Sequence, residues 1–143
     1  MSDEAIGTTV VRPWGRYQVI DTGFGFYAAS SHMYKIKIIT IEPDQSISLQ
    51  YHLHRKEIWT VLHGAAKARI GEEKRFLLEG DTVTVPVGVV HKLTNVGKTR
   101  LVILEAQMGS YCKEDDIIRL DRKVVEPKNI PEEKKELDNS LEN

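Results

Sequence analysis

From residue 10 to residue 110 no stretch of the chain sustains apolar residues at i, i+3, i+4 and i+7, the pattern that an amphipathic helix requires. Period-two alternation takes its place. Tyr34 to Ile41 reads Tyr-Lys-Ile-Lys-Ile-Ile-Thr-Ile, a half-buried strand that Pro43-Asp44 ends. Trp14 to Ile20 alternates in the same way. Further strands are expected near 46–54, 57–63, 65–70, 74–79, 81–86, 90–94 and 100–107. Turn signals separate them at Arg55-Lys56, Gly64, Gly71-Glu72-Glu73, Gly80-Asp81, Pro86-Val87-Gly88 and Asn95-Val96-Gly97. Gly23-Phe24-Gly25-Phe26 reads as a turn whose two rings fold back on the domain, and 115–120 as a last short strand or helical turn. Many short strands at spacings of about 8–12 residues imply an all-β sandwich or barrel.

The chain has 143 residues, 41% of them hydrophobic and 29% charged, which suits one soluble domain with a real core. The expected organisation is a flexible leader over 1–10, a barrel over 11–126 and a charged C-terminal tail over 127–143. Twenty Lys and Arg against 21 Asp and Glu argue against nucleic acid or an anionic membrane as partner. The single cysteine, Cys112, forms no internal disulfide and suits a reducing compartment. No signal peptide and no apolar run long enough to span a bilayer is visible, so a cytoplasmic location is expected.

Chemistry-bearing residues concentrate in Gln50-Tyr51-His52-Leu53-His54-Arg55-Lys56-Glu57 and in Gly80 to Asn95. Along a strand, Gln50, His52 and His54 share a face. A hairpin brings Glu57 opposite His52, and His91 starts a strand after the Pro-Val-Gly turn. Two imidazoles, a carboxylate and an amide oxygen from three strands make Gln50, His52, Glu57 and His91 the candidate metal ligands. His32 and His63 stand alone and read as ordinary surface or packing histidines. Trp59 reads as core, and Cys112 lacks a nearby base that would make it a catalytic thiol.

The second stretch resembles the second cupin motif at every position: Gly80, Pro86, Val87, Gly88, His91 and Asn95. The first resembles the first cupin motif, with His52 and Glu57 separated by four residues and Gly64 following after six more. Gln50 takes the place of that motif's first histidine, and Asp44 the place of its opening glycine. Arg12-Pro13-Trp14-Gly15-Arg16-Tyr17, Ser46 to Arg55, Glu57-Ile58-Trp59, Gly109-Ser110-Tyr111 and Glu114 to Arg119 narrow the likeness. Over about 11–122 the chain resembles the type II mannose-6-phosphate isomerase domain, often fused behind a mannose-1-phosphate guanylyltransferase. No Gly-rich nucleotide loop precedes the barrel here, so a stand-alone domain is expected.

The resemblance implies a cupin-type double-stranded β-helix, or jelly-roll barrel. It implies one divalent metal ion, zinc first, with iron, manganese or nickel as alternatives, on Gln50, His52, Glu57 and His91. It further implies interconversion of mannose 6-phosphate and fructose 6-phosphate through an enediol. Arg55 takes the place of a basic residue near the substrate. Arg55 and Arg119 are the candidates for the sugar phosphate, and His54 for the base. Exposed barrel edges lead to the expectation of a homodimer. Leu53 and Ile58 depart from the family, which commonly has histidine at both positions, and the residues after Asp121-Arg122 depart from its usual ending. The competing readings are a non-catalytic metal cupin that binds a sugar or nucleotide-sugar, and a non-haem iron oxygenase on the His52, His91 and Glu57 set.

Overall fold

In the computed structural model, which describes residues 4–27 and 30–120, every regular element is a strand. The strands are β1 (Thr9–Arg12), β2 (Gly15–Tyr27), β3 (Ser30–Ile41), β4 (Gln50–Tyr51), β5 (Arg55–His63), β6 (Ala66–Ile70), β7 (Glu73–Leu77), β8 (Thr82–Val85), β9 (His91–Asn95), β10 (Leu101–Gly109) and β11 (Ile118–Arg119). They form two antiparallel sheets, ordered β1-β2-β3-β10-β5-β8 and β11-β4-β9-β6-β7. This is the all-β architecture that the alternation implies, in the single-domain jelly-roll form that the resemblance implies. The expected tail lies outside the described residues. The expected leader does not end at residue 10: β1 begins at Thr9, and Gly7 N–H donates to Val19 O at 2.7 Å.

The turn expected at Gly23 to Phe26 is instead strand. β2 runs on through it, paired with β3 from Gly15↔Ile41 to Tyr27↔Ser30. Gly23 serves close packing rather than turning: a Cβ there would meet the Tyr34 ring, whose hydroxyl donates to Asp21 at 3.0 Å. Phe24 is exposed, so that ring does not fold back. A second difference falls at 46–54, where only Gln50–Tyr51 are strand and Ser46 makes an isolated bridge to Thr94. Asp44 has φ of 64°, the left-handed conformation suited to the glycine it replaces, and it is the one non-glycine with positive φ among the described residues.

The core lies between the sheets and is built from the inward residues of each alternating strand. Val61, Ile103 and Ile39 form one cross-strand row, and Leu101 faces Ile41 in the next. Toward the other end of the same face the rows turn polar. Trp59, Glu105 and Lys37 form one row, and Glu57, Gln107 and Lys35 the next. All six are buried. The barrel is therefore apolar at one end and densely polar at the other.

Glycine and asparagine turns pin the polar end. Gly88, at φ 78°, donates its N–H to His52 O at 2.7 Å, so the Pro86-Val87-Gly88 turn is tied to the loop carrying His52. Asn95 closes the 95–99 turn, its amide donating to Ile41 O and Thr99 O, both at 2.9 Å. The outward residues of β3 and β10 are also apolar: Ile36, Ile38, Val102, Leu104, Ala106 and Met108 are half-buried.

Candidate metal centre

Of the expected ligands, the two histidines and the glutamate converge. His52 directly follows the short β4 strand, Glu57 lies on the inner face of β5, and His91 opens β9; all three are buried. Their ligating atoms lie within 4.8 Å of one another. His52 Nε2 is 3.3 Å from Glu57 Oε2, and His91 Nε2 is 3.6 Å from Glu57 Oε1.

Both imidazoles are oriented by backbone carbonyls. His52 Nδ1 donates to Asp116 O at 2.6 Å, and His91 Nδ1 donates to Val89 O at 2.8 Å. A carbonyl only accepts, so Nδ1 carries the proton and Nε2 is turned to Glu57. This is the arrangement by which proteins orient metal-binding histidines. Glu57 Oε1 and His91 Nε2 are buried without a hydrogen-bond partner. Each orphan costs about 1–3 kcal/mol, more for a charged group. Two adjacent acceptors of this kind fit a cation, and two imidazoles with one carboxylate suit a borderline metal such as zinc.

Glu57 is held from its other side. Arg55 Nε donates to Oε2 at 3.2 Å and Gln107 Nε2 donates to it at 3.1 Å. Burial pushes the Glu57 carboxyl up, but the Arg55 guanidinium and the imidazoles gathered around it outweigh this and hold the group below the usual carboxylate range. His91 is held below the usual imidazole range, chiefly by burial, and stays neutral as a ligand must be.

Gln50 sits directly across the ladder from His91, and its Oε1 accepts from Ser48 Oγ at 2.9 Å. Arg55 is no solvated turn residue. It lies inside β5, 3% exposed, with Nη1 donating to Lys113 O at 3.0 Å. Arg119 is on β11 opposite Gln50. Gln50, Arg55, Glu57 and Arg119 all line one cavity of about 890 Å³, along with Arg12, Lys37 and Lys92.

His54 does not join them. The sequence places it on the face of Gln50 and His52, but β4 stops at Tyr51. The carboxylate of Asp116 then accepts from Leu53 N–H at 2.9 Å and His54 N–H at 3.0 Å, which breaks the alternation. The His54 ring is 53% exposed, with Nδ1 3.2 Å from Asp116 Oδ1.

The sequence reading missed Glu105, Gln107, Lys37 and Asp116. The first three carried a signal. Glu105 and Gln107 fall in phase with Leu101 and Ile103, and Lys37 in phase with Ile39 and Ile41, so polar residues occupy inward positions. Glu105 Oε1 accepts from Gln107 Nε2 at 2.8 Å, and Oε2 accepts from Trp59 Nε1 at 3.0 Å. Burial first, and the Glu57 charge second, push the Glu105 carboxyl up to about 7. Asp116 follows no strand pattern, so nothing in the periodicity marked it.

Comparison with known proteins fits this geometry. A family model described as mannose-6-phosphate isomerase C-terminal matches residues 2–122. The xanthan biosynthesis protein XanB of Xanthomonas campestris pv. campestris is 44% identical over 112 residues, covering 78% of this chain and 22% of that protein. A mannose-1-phosphate guanylyltransferase of Salmonella montevideo is 43% identical over 114 residues, covering 80% and 22%. The chain thus spans about a fifth of the length of these curated relatives. Among solved structures, the capsular polysaccharide assembling protein CapF of Staphylococcus aureus superposes with a TM-score of 0.65 at 15% identity, covering 79% of this chain and 34% of that one. KdgF from a Halomonas species superposes with a TM-score of 0.56 at 17% identity, covering 74% and 86%. The cupin domain of Schizosaccharomyces pombe Cnp3 superposes with a TM-score of 0.53 at 12% identity, covering 66% and 65%. These likenesses establish the cupin fold.

Two outcomes follow from the ligand geometry. Titrating zinc into chelator-treated protein should raise the melting temperature, and His91→Ala should abolish both the rise and the bound metal. Full metal occupancy in His91→Ala would refute the ligand set. The second concerns Glu105. Its folded pKa lies above the ordinary value of 4.5, so the folded state binds the extra proton and stability falls as pH rises from 4.5 through about 7. At about 1.4 kcal/mol per pKa unit the loss is on the order of 3 kcal/mol. Urea unfolding of chelated protein across this range should show the loss in the native chain and a flatter profile in Glu105→Gln.

Proposed function

From the premise that the chain belongs to the mannose-6-phosphate isomerase C-terminal family, we propose that it is a metal-dependent sugar-phosphate isomerase interconverting mannose 6-phosphate and fructose 6-phosphate. One observation carries this reading: the buried His52, Glu57 and His91 group, with its two unpartnered acceptors, adjoins a cavity lined by five cationic side chains. The proposed ligands are His52, Glu57, His91 and Gln50, whose amide oxygen accepts from Ser48 Oγ and keeps a second lone pair. Zinc is the first choice, and iron, manganese or nickel the alternatives.

The metal would act as a Lewis acid beside the oxygens that bear charge in an enediol. The chain's own residues supply the rest. Arg119, with Arg12 and Lys92, offers cations to the phosphate. Arg55 is fixed by Glu57 and Lys113 O, so its charge is held at the cavity wall rather than carried on a free side chain. The side chains of Leu53 and Ile58 are not among the cavity-lining residues, so these two departures from the family fall outside the wall. His54, exposed and held by Asp116, is also off that wall, and the proton transfer expected of it needs another group.

We also propose that the protein acts in the cytoplasm as a homodimer. The apolar outward face of β3 and β10 and the open edge at β1 support the dimer. No helix among the described residues is long and apolar enough to cross a membrane.

Metal-replete protein should convert mannose 6-phosphate in an assay coupled to fructose 6-phosphate consumption. Binding of a sugar or nucleotide-sugar without turnover would instead make it the accessory, non-catalytic cupin. Light scattering should return twice the chain mass, and a monomer would remove the dimer from the proposal.

A further inference from the structure

Resting on the isomerase reading above, we propose that Glu105 is the proton-transfer residue of the cavity. Its carboxylate would take the proton from C2 of the open-chain aldose and return it to C1. The C2–H bond breaks and the proton goes to a Glu105 oxygen. The electron pair forms the C1–C2 double bond as the C1 carbonyl becomes an enol oxygen. The hydroxyl proton shifts from O2 to O1, and reprotonation at C1 leaves a carbonyl at C2. Atoms and electrons balance with no further reactant.

Position is the first argument. Glu105 is buried on the inner face of β10 and lines the same cavity as Glu57. A single nitrogen, Gln107 Nε2, donates to both carboxylates, at 2.8 Å to Glu105 and 3.1 Å to Glu57. The base would therefore stand one amide away from a metal ligand, where the substrate's C1 and C2 oxygens would bind. Gln107 and Trp59 each donate to one Glu105 oxygen, which fixes the carboxylate plane and leaves a lone pair free on each oxygen.

Cost is the second argument. Glu105 is not one of the converging ligands. The ammonium of its cross-strand neighbour Lys37 is committed to Glu114 at 2.8 Å. A carboxylate placed on an inward row without a contacting counter-ion weakens the fold, and such placements concentrate at working sites. Glu57 from β5 and Glu114 from the loop after β10 raise its proton affinity, while Lys37 from β3 and Arg55 from β5 lower it. Charges of both signs thus bear on the carboxylate, which suits a group that must accept and then release one proton.

The test follows mannose 6-phosphate in deuterium oxide by proton NMR, with metal-replete full-length protein. The native chain should place solvent deuterium on C1 or C2. Glu105→Gln should keep its metal and its melting transition, hold KM within about threefold and lose at least about 100-fold in kcat and in exchange. Glu105→Asp, which keeps the acid but retracts it, should recover part of that loss. A Glu105→Gln variant within about tenfold of the native kcat overturns the assignment. If Glu105→Gln does not fold, Glu105→Asp decides on the same tenfold boundary, a larger kcat loss supporting the role and a smaller one overturning it. Absence of turnover and exchange in the native chain would sink the isomerase reading itself, and this assignment with it.

Discussion

The polar end of the barrel is organised by one ionised carboxylate kept out of water. Glu57 is 1% exposed, and a lone buried carboxylate would neutralise itself by taking a proton. It does not, because Arg55, Gln107 and two imidazoles are gathered on it from β5, β10, β9 and the end of β4. Those partners impose conditions of their own. Arg55 needs the Lys113 carbonyl, His52 needs the Asp116 carbonyl, and the loop after β10 must fold back over the mouth to supply both. The loop is thus positioned by the charge it helps to stabilise.

Much of this was legible in sequence because the constraints were periodic or local. Alternation marked the strands and their inward faces, and the spacing of His52, Glu57 and His91 singled out three residues that are buried together. What failed did so where a tertiary contact overrode a local signal. Gly23 and Gly25 look like turn residues, but Tyr34 uses the space above Gly23, and the ladder with β3 carries β2 onward. His54 shares the strand phase of His52 on paper. The Asp116 carboxylate, 62 residues away, captures its backbone N–H and changes where its ring points. No local pattern encodes a contact at that separation.

Glu105 and Lys37 are a different kind of miss. Their phase was readable, and it put a carboxylate and an ammonium inside the barrel, which as a packing arrangement is costly. Local propensity and global fold agree along both strands except at these inward polar positions. Disagreements of that kind are where function concentrates.

The polarity split along the inner face has a consequence for how such a chain can diversify. The rows of Val61, Ile103, Ile39, Leu101 and Ile41 on one sheet share a single apolar core with Ala66, Ala68, Leu77 and Leu93 of the other, at the end of the barrel away from the charged rows. Selection can therefore revise the charged rows one side chain at a time while the apolar rows keep the scaffold closed. One barrel can then pass through many chemistries without passing through an unfolded ancestor. The likeness to solved barrels of 12–17% identity is what such a history would leave behind.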